Sequence, residues 1–399
     1  MKQDIEFLAP LYAKADVNFV KGKGAWLFDS KGKEYLDFAS GISVNALGHS
    51  HPAIIKAIKK QSEKFLHLSN LFPNEPQIKL AKKMLSLTKF GKEKGKAFFC
   101  NSGAEANEAA IKFARKYFFS KGEKNRVEII SFVNSFHGRT YGSLAATGQE
   151  KLKIGFGAMP AGFKHVEWND AEALKKAVGK NTAAIMLEPV VAEGGVLMPS
   201  KKFIKTINDL KKQNGCLVVA DEIQMGVGRC GAISCSELYG IKADITTWAK
   251  PLGGGLPLGM VLMSADIAKN LQPGDHGTTF GGNPVSCAAG LAALEIISKP
   301  KFLKNVLERS VQLRAGLEVL AKKYKFLGEI RGEGLLFGIE TQKPVADLVA
   351  ACRNQRLLVL RAGTNVLRLL PPLTITKNEA KEALKRMETA FSIFPLDEK

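Results

Sequence analysis

The chain has 399 residues, of which 45% are hydrophobic and 24% are charged, and its formal net charge is +20. This composition excludes a disordered or collagen-like chain, and the length predicts one large domain with an appendage, or two domains. No uncharged apolar run reaches the ~18 residues that a membrane helix needs, and residues 1–14 lack the apolar centre of a secretory signal. We therefore expect a cytoplasmic protein with no membrane partner.

The positive charge results from 58 basic and 38 acidic residues. Such an excess is typical of some proteins that bind nucleic acid or a membrane surface. Here it is mostly lysine at helical spacing, as in Lys56, Lys59, Lys60 and Lys64, without an arginine-rich arm interleaved with aromatic residues. We expect a solvated surface, or one that attracts anionic metabolites, and no nucleic acid as partner.

The six cysteines form no CxxC pair and have no companion histidine at metal-binding spacing. Free thiols and no metal site are therefore expected.

The N-terminal fifty residues predict short β structure, followed by a helix. Residues 25–28 and 34–38 flank a Ser-Lys-Gly turn and predict a hairpin. Pro52 suits a first helical position, and apolar residues recur behind it at helical spacing.

From about residue 96, compact apolar runs alternate with amphipathic stretches such as residues 104–119 and 203–213. The strand-like runs are residues 97–100, 127–133, 183–187, 217–220 and 258–263. Strands buried on both faces and separated by helices predict a mostly parallel sheet in an α/β layer fold. After about residue 295, a lysine-rich helical stretch and short β runs predict a smaller α+β domain.

Three stretches of the chain suggest one site. Residues 101–107 (NSGAEAN) open a helix behind a strand, where Gly103 and free N–H groups favour a phosphate. Asp221 ends a buried strand, where α/β folds place ligands. Lys250 precedes a glycine-rich loop, and burial there lowers the pKa of an amine and prepares it for Schiff-base chemistry.

Each of these stretches also has a simpler explanation. Residues 101–107 could only cap a helix, Asp221 could be a metal ligand or a helix cap, and Lys250 could be an ordinary lysine at the end of a strand. Their combination is what a pyridoxal 5′-phosphate site requires, because an amine holds the aldehyde and a carboxylate keeps the pyridine nitrogen protonated.

Several stretches in the same order resemble the class III, fold-type I aminotransferases, and most closely those that use acetylornithine. Besides residues 101–107, they are residues 135–140 (SFHGRT), 188–195, 220–231, 250–257, 274–284 (GDHGTTFGGNP) and 367–372 (LRLLPP). The resemblance implies a large domain with a mostly parallel seven-stranded sheet and a smaller α+β domain. The division we expect is an N-terminal segment joining the small domain (1–50), a large cofactor-binding domain (51–295) and a C-terminal small domain (296–399).

The resemblance implies that pyridoxal 5′-phosphate is the cofactor and gives several residues a role at its ring. Lys250 forms the covalent link and moves the substrate proton, and Asp221 pairs with the pyridine nitrogen. Gln224 approaches the phenolic oxygen, and Phe136 stacks on the ring.

At the phosphate, the resemblance implies backbone N–H donors from Gly103 and Ala104. It also implies that Thr279 completes the phosphate site from the other subunit, so the active enzyme is a homodimer.

For the substrates, the resemblance implies that Arg139 binds the α-carboxylate of an acylated ornithine, with Thr278 of the neighbouring subunit assisting. Arg368 binds the carboxylate of glutamate or 2-oxoglutarate. Glu193 is the countercharge that occupies Arg368 when the other substrate is present.

Two positions depart from the usual pattern of the family. Ala104 stands where a threonine is common, which removes one hydroxyl contact to the phosphate, and Val191-Ala192 stands where Gln-Gly is common. The second departure leaves the substrate preference open.

The expected reaction is transfer of the terminal amino group of acetylornithine to 2-oxoglutarate, in arginine biosynthesis. Succinylornithine, ornithine and 4-aminobutyrate are alternative donors, and glutamate-1-semialdehyde aminomutase is an alternative reaction on the same fold. Two carboxylate-binding arginines favour transfer. A non-enzymatic basic binding protein would leave the combination of Lys250 and Asp221 unexplained.

Overall fold

The structure is a computed structural model that describes residues 4–394. In chain order, its strands are β1 (Phe19–Lys23), β2 (Trp26–Asp29), β3 (Glu34–Asp37), β4 (Lys96–Cys100), β5 (Glu128–Phe132), β6 (Phe163–Val166), β7 (Thr182–Leu187), β8 (Leu217–Asp221), β9 (Ile245–Trp248), β10 (Gly259–Met263), β11 (Leu327–Glu333), β12 (Leu336–Thr341), β13 (Leu357–Leu358), β14 (Leu360–Ala362) and β15 (Val366–Leu369).

The helices are α1 (Ser40–Ser43), α2 (Pro52–Ser62), α3 (Glu75–Ser86), α4 (Lys89–Lys92), α5 (Gly103–Ser120), α6 (Tyr141–Ala146), α7 (Ala171–Ala177), α8 (Lys201–Asn214), α9 (Cys235–Leu238), α10 (Ala265–Ala268), α11 (Pro284–Ile297), α12 (Pro300–Lys323), α13 (Ala346–Asn354) and α14 (Lys377–Ser392). Among the helices of residues 4–394, none combines the length and the apolar character needed to cross a membrane.

The central sheet has seven strands in the order β4-β10-β9-β8-β7-β5-β6. Only β10 runs against its neighbours, so the sheet is mostly parallel, as predicted. Successive residues face opposite sides: Ile129 packs in the cluster that includes α5, and Ile130 packs in the cluster that includes Phe203 of α8. Helices cover both faces, and this explains why β7 and β8 are continuous apolar runs.

Helix α5 lies directly against this sheet because its buried face is largely alanine: Ala106, Ala109, Ala110 and Ala114. Its first turn is fixed by Ser102, whose Oγ accepts a hydrogen bond from the N–H of Glu105 at 3.2 Å. Since β4, β8 and β9 run in the same direction, the segments that follow them meet at one edge of the sheet. That edge carries the site.

Two smaller sheets lie in the terminal regions of the chain. The predicted N-terminal hairpin is present as β2 and β3, and it extends to a sheet in the order β1-β2-β3-β13, in which β13 lies parallel to β3. The second sheet has the order β11-β12-β15-β14. The Trp26 indole N–H also donates to Glu379 of α14 at 2.9 Å. The N-terminal segment therefore packs with C-terminal elements, while the three-part division at residues 50 and 295 stays a prediction.

Candidate active site

A cavity of about 450 Å³ opens at the carboxyl edge of the central sheet. Its lining combines segments that are far apart in the chain. The sequence-predicted residues that line it are Gly103, Ala104, Phe136, Arg139, Asp221, Gln224 and Lys250.

Lys250 is the second residue after β9, separated from it by Ala249, and begins a 3-10 turn, Lys250–Gly253. Its φ of +47° is unusual for a side-chain-bearing residue, and such strain is found mostly at functional sites. Burial is the largest influence on the Lys250 amine and lowers its pKa, while the nearby Glu193 carboxylate opposes the shift. A larger fraction of neutral amine is therefore available for nucleophilic attack.

Asp221 is held by a hydrogen-bond network of residues buried under the cavity. Its Oδ2 lies 2.8 Å from Nδ1 of His137 and accepts a second bond, also of 2.8 Å, from Nδ2 of Asn107. The Thr247 hydroxyl donates to Oδ1 of Asn107 at 2.7 Å and so fixes the orientation of that amide. Among the described residues, Oδ1 of Asp221 accepts the N–H of Ile223 at 3.1 Å and no other donor, so it keeps capacity for one more.

Glu188 also lines the cavity, and sequence reasoning gave it no role. Its two carboxyl oxygens accept the backbone N–H groups of Phe136 at 2.9 Å and of Ala192 at 3.1 Å. Burial, the largest influence, raises the pKa of Glu188 to about 7, against the opposing effect of His137. Glu188 therefore joins the loop that carries Phe136 to the segment that leads to Glu193.

Arg368, Glu193 and Gln224 form one hydrogen-bonded group beside the cavity. Nη1 of Arg368 donates to Oε1 of Glu193 at 2.6 Å and to Oε1 of Gln224 at 2.9 Å. Nε2 of Gln224 donates to the same Glu193 oxygen at 3.2 Å. Burial raises the pKa of Glu193, but the charge and hydrogen bond of Arg368 outweigh it, so the net shift is downward and the carboxylate stays ionised.

Arg139 lies at the mouth of the cavity and is exposed. Its guanidinium carbon is 5.7 Å from the centroid of the Phe136 ring. Both residues also line a second, adjoining cavity of about 300 Å³, which Glu193 lines as well. Arg139 therefore lines both cavities and is open to solvent, whereas Arg368 lies buried beside them with its guanidinium paired to the Glu193 carboxylate.

Thr278 and Thr279 are not brought into this cavity. They line a separate one of about 860 Å³, with Asn70 and His276 among its other residues. The Thr278 hydroxyl accepts the side-chain N–H of Asn101 at 3.3 Å. Two large apolar side chains nearby are exposed. Leu71 lines the same cavity and is 87% exposed, and Phe280 directly follows Thr279 and is 60% exposed.

The donor set at the 450 Å³ cavity fits pyridoxal 5′-phosphate. The N–H groups of Gly103 and Ala104 begin α5, where no intrahelical acceptor exists and the dipole is positive, which suits a phosphate. Asp221 offers a free acceptor position for a protonated ring nitrogen, and Lys250 offers the amine for an aldehyde. Ala104 has no hydroxyl, so that contact is absent, as expected from the sequence.

Comparisons with known proteins identify the family of this chain. The family model "Aminotransferase class-III" matches residues 8–391. The chain is 47% identical over 388 residues to an acetylornithine aminotransferase of Caldanaerobacter subterraneus, covering 97% of this chain and 98% of that protein.

Two solved structures are also similar to this chain. The N-acetylornithine aminotransferase from Stenotrophomonas maltophilia has a TM-score of 0.83 and 34% identity, and the match covers 96% of this chain and 97% of that one. An ornithine aminotransferase from Toxoplasma gondii, with partial occupancy of PLP at its active site, has a TM-score of 0.92 and 32% identity over 98% of this chain and 93% of that one. This chain belongs to the class III aminotransferases.

Proposed function

We propose that this aminotransferase moves the terminal amino group of N2-acetyl-L-ornithine to 2-oxoglutarate, in arginine biosynthesis. The products are N-acetyl-L-glutamate 5-semialdehyde and L-glutamate. The observation that carries the proposal is the Arg368–Glu193 ion pair beside Lys250, with the exposed Arg139 at the cavity mouth. The choice of donor is supported by the 47% identity to a relative named acetylornithine aminotransferase.

Pyridoxal 5′-phosphate, when bound, supplies the electron sink that makes the amine-bearing carbon of a substrate acidic. The N-terminus of α5 would bind its phosphate, and Asp221, held by His137 and Asn107, would keep a proton on the pyridine nitrogen. Phe136 would cover the ring and exclude water from it. Lys250 would supply the amine that holds the cofactor, and its Nζ would carry the proton that leaves the substrate carbon.

The two substrates differ in the number of carboxylates they carry, and the two arginines allow one site to bind both. Acetylornithine has one carboxylate, which binds Arg139, and its neutral chain passes the Arg368–Glu193 pair without needing either charge. Glutamate and 2-oxoglutarate bring a second carboxylate, for which Glu193 releases Arg368. A guanidinium binds a carboxylate through two parallel hydrogen bonds, so either arginine can select its substrate by geometry.

The proposed enzyme is a homodimer in which Thr279 completes the phosphate site of the partner subunit and Thr278 assists the partner's Arg139. Support comes from the position of both threonines outside their own subunit's cavity, near exposed apolar side chains. Such side chains are typical of an interface.

We infer a cytoplasmic location from the cysteines. All six lie within the described residues, are buried and form no disulfide. Reduced thiols are the rule in a reducing compartment.

A steady-state comparison tests the donor. The cofactor-loaded enzyme is assayed with 2-oxoglutarate and, in turn, acetylornithine, succinylornithine, ornithine and 4-aminobutyrate. We expect the highest kcat/KM for acetylornithine. A higher value for another donor, or turnover of glutamate 1-semialdehyde without a second substrate, would overturn the proposal.

A further inference from the structure

Arg229 is a fully buried cation in the segment that follows Asp221 and Gln224, at 1% exposure. Its Nε donates to the Ser43 hydroxyl oxygen at 3.0 Å, and its Nη1 donates to the carbonyl oxygens of Leu335 at 2.9 Å and Pro371 at 2.5 Å. None of these partners is a carboxylate. A buried charge with neutral partners alone is costly, so packing does not by itself explain why an arginine stands here.

The partners of Arg229 lie in three separate parts of the chain. Ser43 belongs to the N-terminal segment, Leu335 to the turn between β11 and β12, and Pro371 to the segment that follows β15. The backbone reinforces one of these links, since the N–H of Leu335 donates to the carbonyl oxygen of Arg229 at 2.9 Å. Arg229 therefore joins the central sheet's site loop to both terminal regions.

Ser43 carries the contact from Arg229 to the active site. Its hydroxyl accepts from Arg229 and donates to the backbone carbonyl oxygen of Gln224 at 3.2 Å. The Gln224 side chain in turn bonds to both Arg368 and Glu193. Two hydrogen bonds thus separate the Arg229 guanidinium from the group that is proposed to bind glutamate.

The other end of that group is held by the same guanidinium. Pro371, whose carbonyl accepts from Arg229, stands three positions after Arg368. Between them, Leu370 donates its N–H to the carbonyl oxygen of Phe38 at 2.7 Å, which fixes the strand end to the N-terminal segment. Arg229 therefore anchors Gln224 through Ser43 and the Arg368 strand through Pro371.

We propose that Arg229 and Ser43 are positioning residues that keep Gln224 and Arg368 in register, and thereby set the affinity for the dicarboxylate substrate. The inference rests on the proposed function, because it takes Arg368 as the group that binds the second carboxylate of glutamate. Neither Arg229 nor Ser43 lines the 450 Å³ cavity. Their loss should weaken the glutamate half-reaction and spare the acetylornithine half-reaction, which does not use Arg368.

The turn Ser40–Ser43 supplies a matched control for this test. Both serines are buried, and both have positive φ, +48° at Ser40 and +71° at Ser43. Within the described residues the Ser40 hydroxyl has no hydrogen-bond partner, whereas the Ser43 hydroxyl has two. Ser40→Ala and Ser43→Ala therefore make the same chemical change at two positions with positive φ. Only Ser43→Ala removes the hydrogen bonds that link Arg229 to Gln224.

The experiment follows each half-reaction separately by stopped flow, with the cofactor-loaded enzyme. For Ser43→Ala we expect the apparent dissociation constant for glutamate to rise about five- to tenfold, the effect of one buried hydrogen bond. The acetylornithine half-reaction should change by less than about twofold, and Ser40→Ala should change neither. Equal effects of the two substitutions, or equal losses in both half-reactions for Ser43→Ala, would overturn the inference.

Arg229→Lys gives a second measurement, because an ammonium keeps the charge but lacks the planar fork that reaches three oxygens. We expect a larger rise in the apparent dissociation constant for glutamate than for Ser43→Ala, with the acetylornithine half-reaction again the less affected.

If wild-type enzyme fails to transaminate acetylornithine with 2-oxoglutarate, the proposed function fails. If wild type is active and Ser43→Ala equals Ser40→Ala, this inference alone fails.

Discussion

Nδ1 of His137 lies 2.8 Å from Oδ2 of Asp221, and both side chains are almost wholly buried. A buried carboxylate needs hydrogen-bond donors in place of the water it has lost, and Asn107 supplies the other bond to the same oxygen. The acid that is proposed to hold the cofactor's ring proton is therefore oriented by two residues from different elements.

Asn107→Ala should impair catalysis, because Asn107 is hydrogen-bonded to Asp221. The change leaves Asp221, the Thr247 hydroxyl and the His137 carbonyl each without one partner, at about 1–3 kcal/mol for a buried group. We expect kcat to fall by about tenfold or more, with a lower melting temperature. Asn125→Ala, at an exposed loop position, is the control and should leave both unchanged.

The network around Asp221 shows what sequence reasoning missed. His137 is 84 positions from Asp221, Asn107 is 114 positions away, and Glu188 is 52 positions from Phe136. No local pattern relates residues so far apart. An unusual polar residue in a buried segment, such as Asn107 on the alanine face of α5, is the signal that could have indicated it.

The sheet was more predictable, because buried parallel strands are continuous apolar runs. The predicted strands at residues 127–133 and 258–263 correspond to β5 and β10, and the predicted helix at 203–213 corresponds to α8. The prediction missed β6, which contains Lys164 and His165 at the sheet edge. A strand was expected before Lys250, but β9 was not among the apolar runs because it contains two threonines. The seven-stranded sheet is confirmed by the observed strand order, and the aminotransferase activity is confirmed by the family match.

Lys250→Ala should bind cofactor without a covalent link and lose nearly all turnover. One amine serves as tether and as proton carrier, so no other group replaces it. Borohydride reduction of the wild-type holoenzyme followed by peptide mass analysis locates the modified residue. Labelling of a lysine other than Lys250 would contradict the assignment.

Mixing two impaired variants tests the shared site. In a heterodimer of Lys250→Ala and Thr279→Ala subunits, one of the two sites has both native groups. Random reassociation should therefore restore about a quarter of wild-type activity. The unmixed variants are the controls. A fully active monomer in sedimentation would contradict the dimeric arrangement.

Glu188 should make stability depend on pH. Burial raises its pKa to about 7, above the ordinary value of 4.5, so between these values the native state binds more protons than the unfolded chain. The contribution of Glu188 to the free energy of unfolding is therefore full below about pH 4.5 and decreases as the pH rises to about 7. We expect the free energy of unfolding of wild type to fall relative to that of Glu188→Gln as the pH rises over this range, as measured by denaturant titrations. A difference independent of pH would show that Glu188 does not titrate there.

Arg368 and Glu193 should have opposite effects on the glutamate half-reaction. Loss of a hydrogen bond to a charged group costs about 1.5–3 kcal/mol, or about ten- to a hundredfold in kcat/KM. Arg368→Ala should lose this much with glutamate and far less with acetylornithine, and Arg368→Lys should recover little, because an ammonium cannot bind both carboxylate oxygens at once. Arg139→Ala should impair both half-reactions, since each substrate places a carboxylate near it.

Glu193→Ala should leave glutamate bound as tightly as in wild type or more tightly, because its carboxylate no longer competes for the Arg368 Nη1 that it now binds at 2.6 Å. Discrimination against glutamate while acetylornithine reacts should then fall. Stopped-flow traces of the cofactor spectrum measure each half-reaction by itself. The rates of the two half-reactions can therefore be compared directly between Arg368→Ala and Glu193→Ala. Equal losses in both half-reactions for Arg368→Ala would mean that the ion pair only supports the fold, because a switch between substrates requires the two to differ.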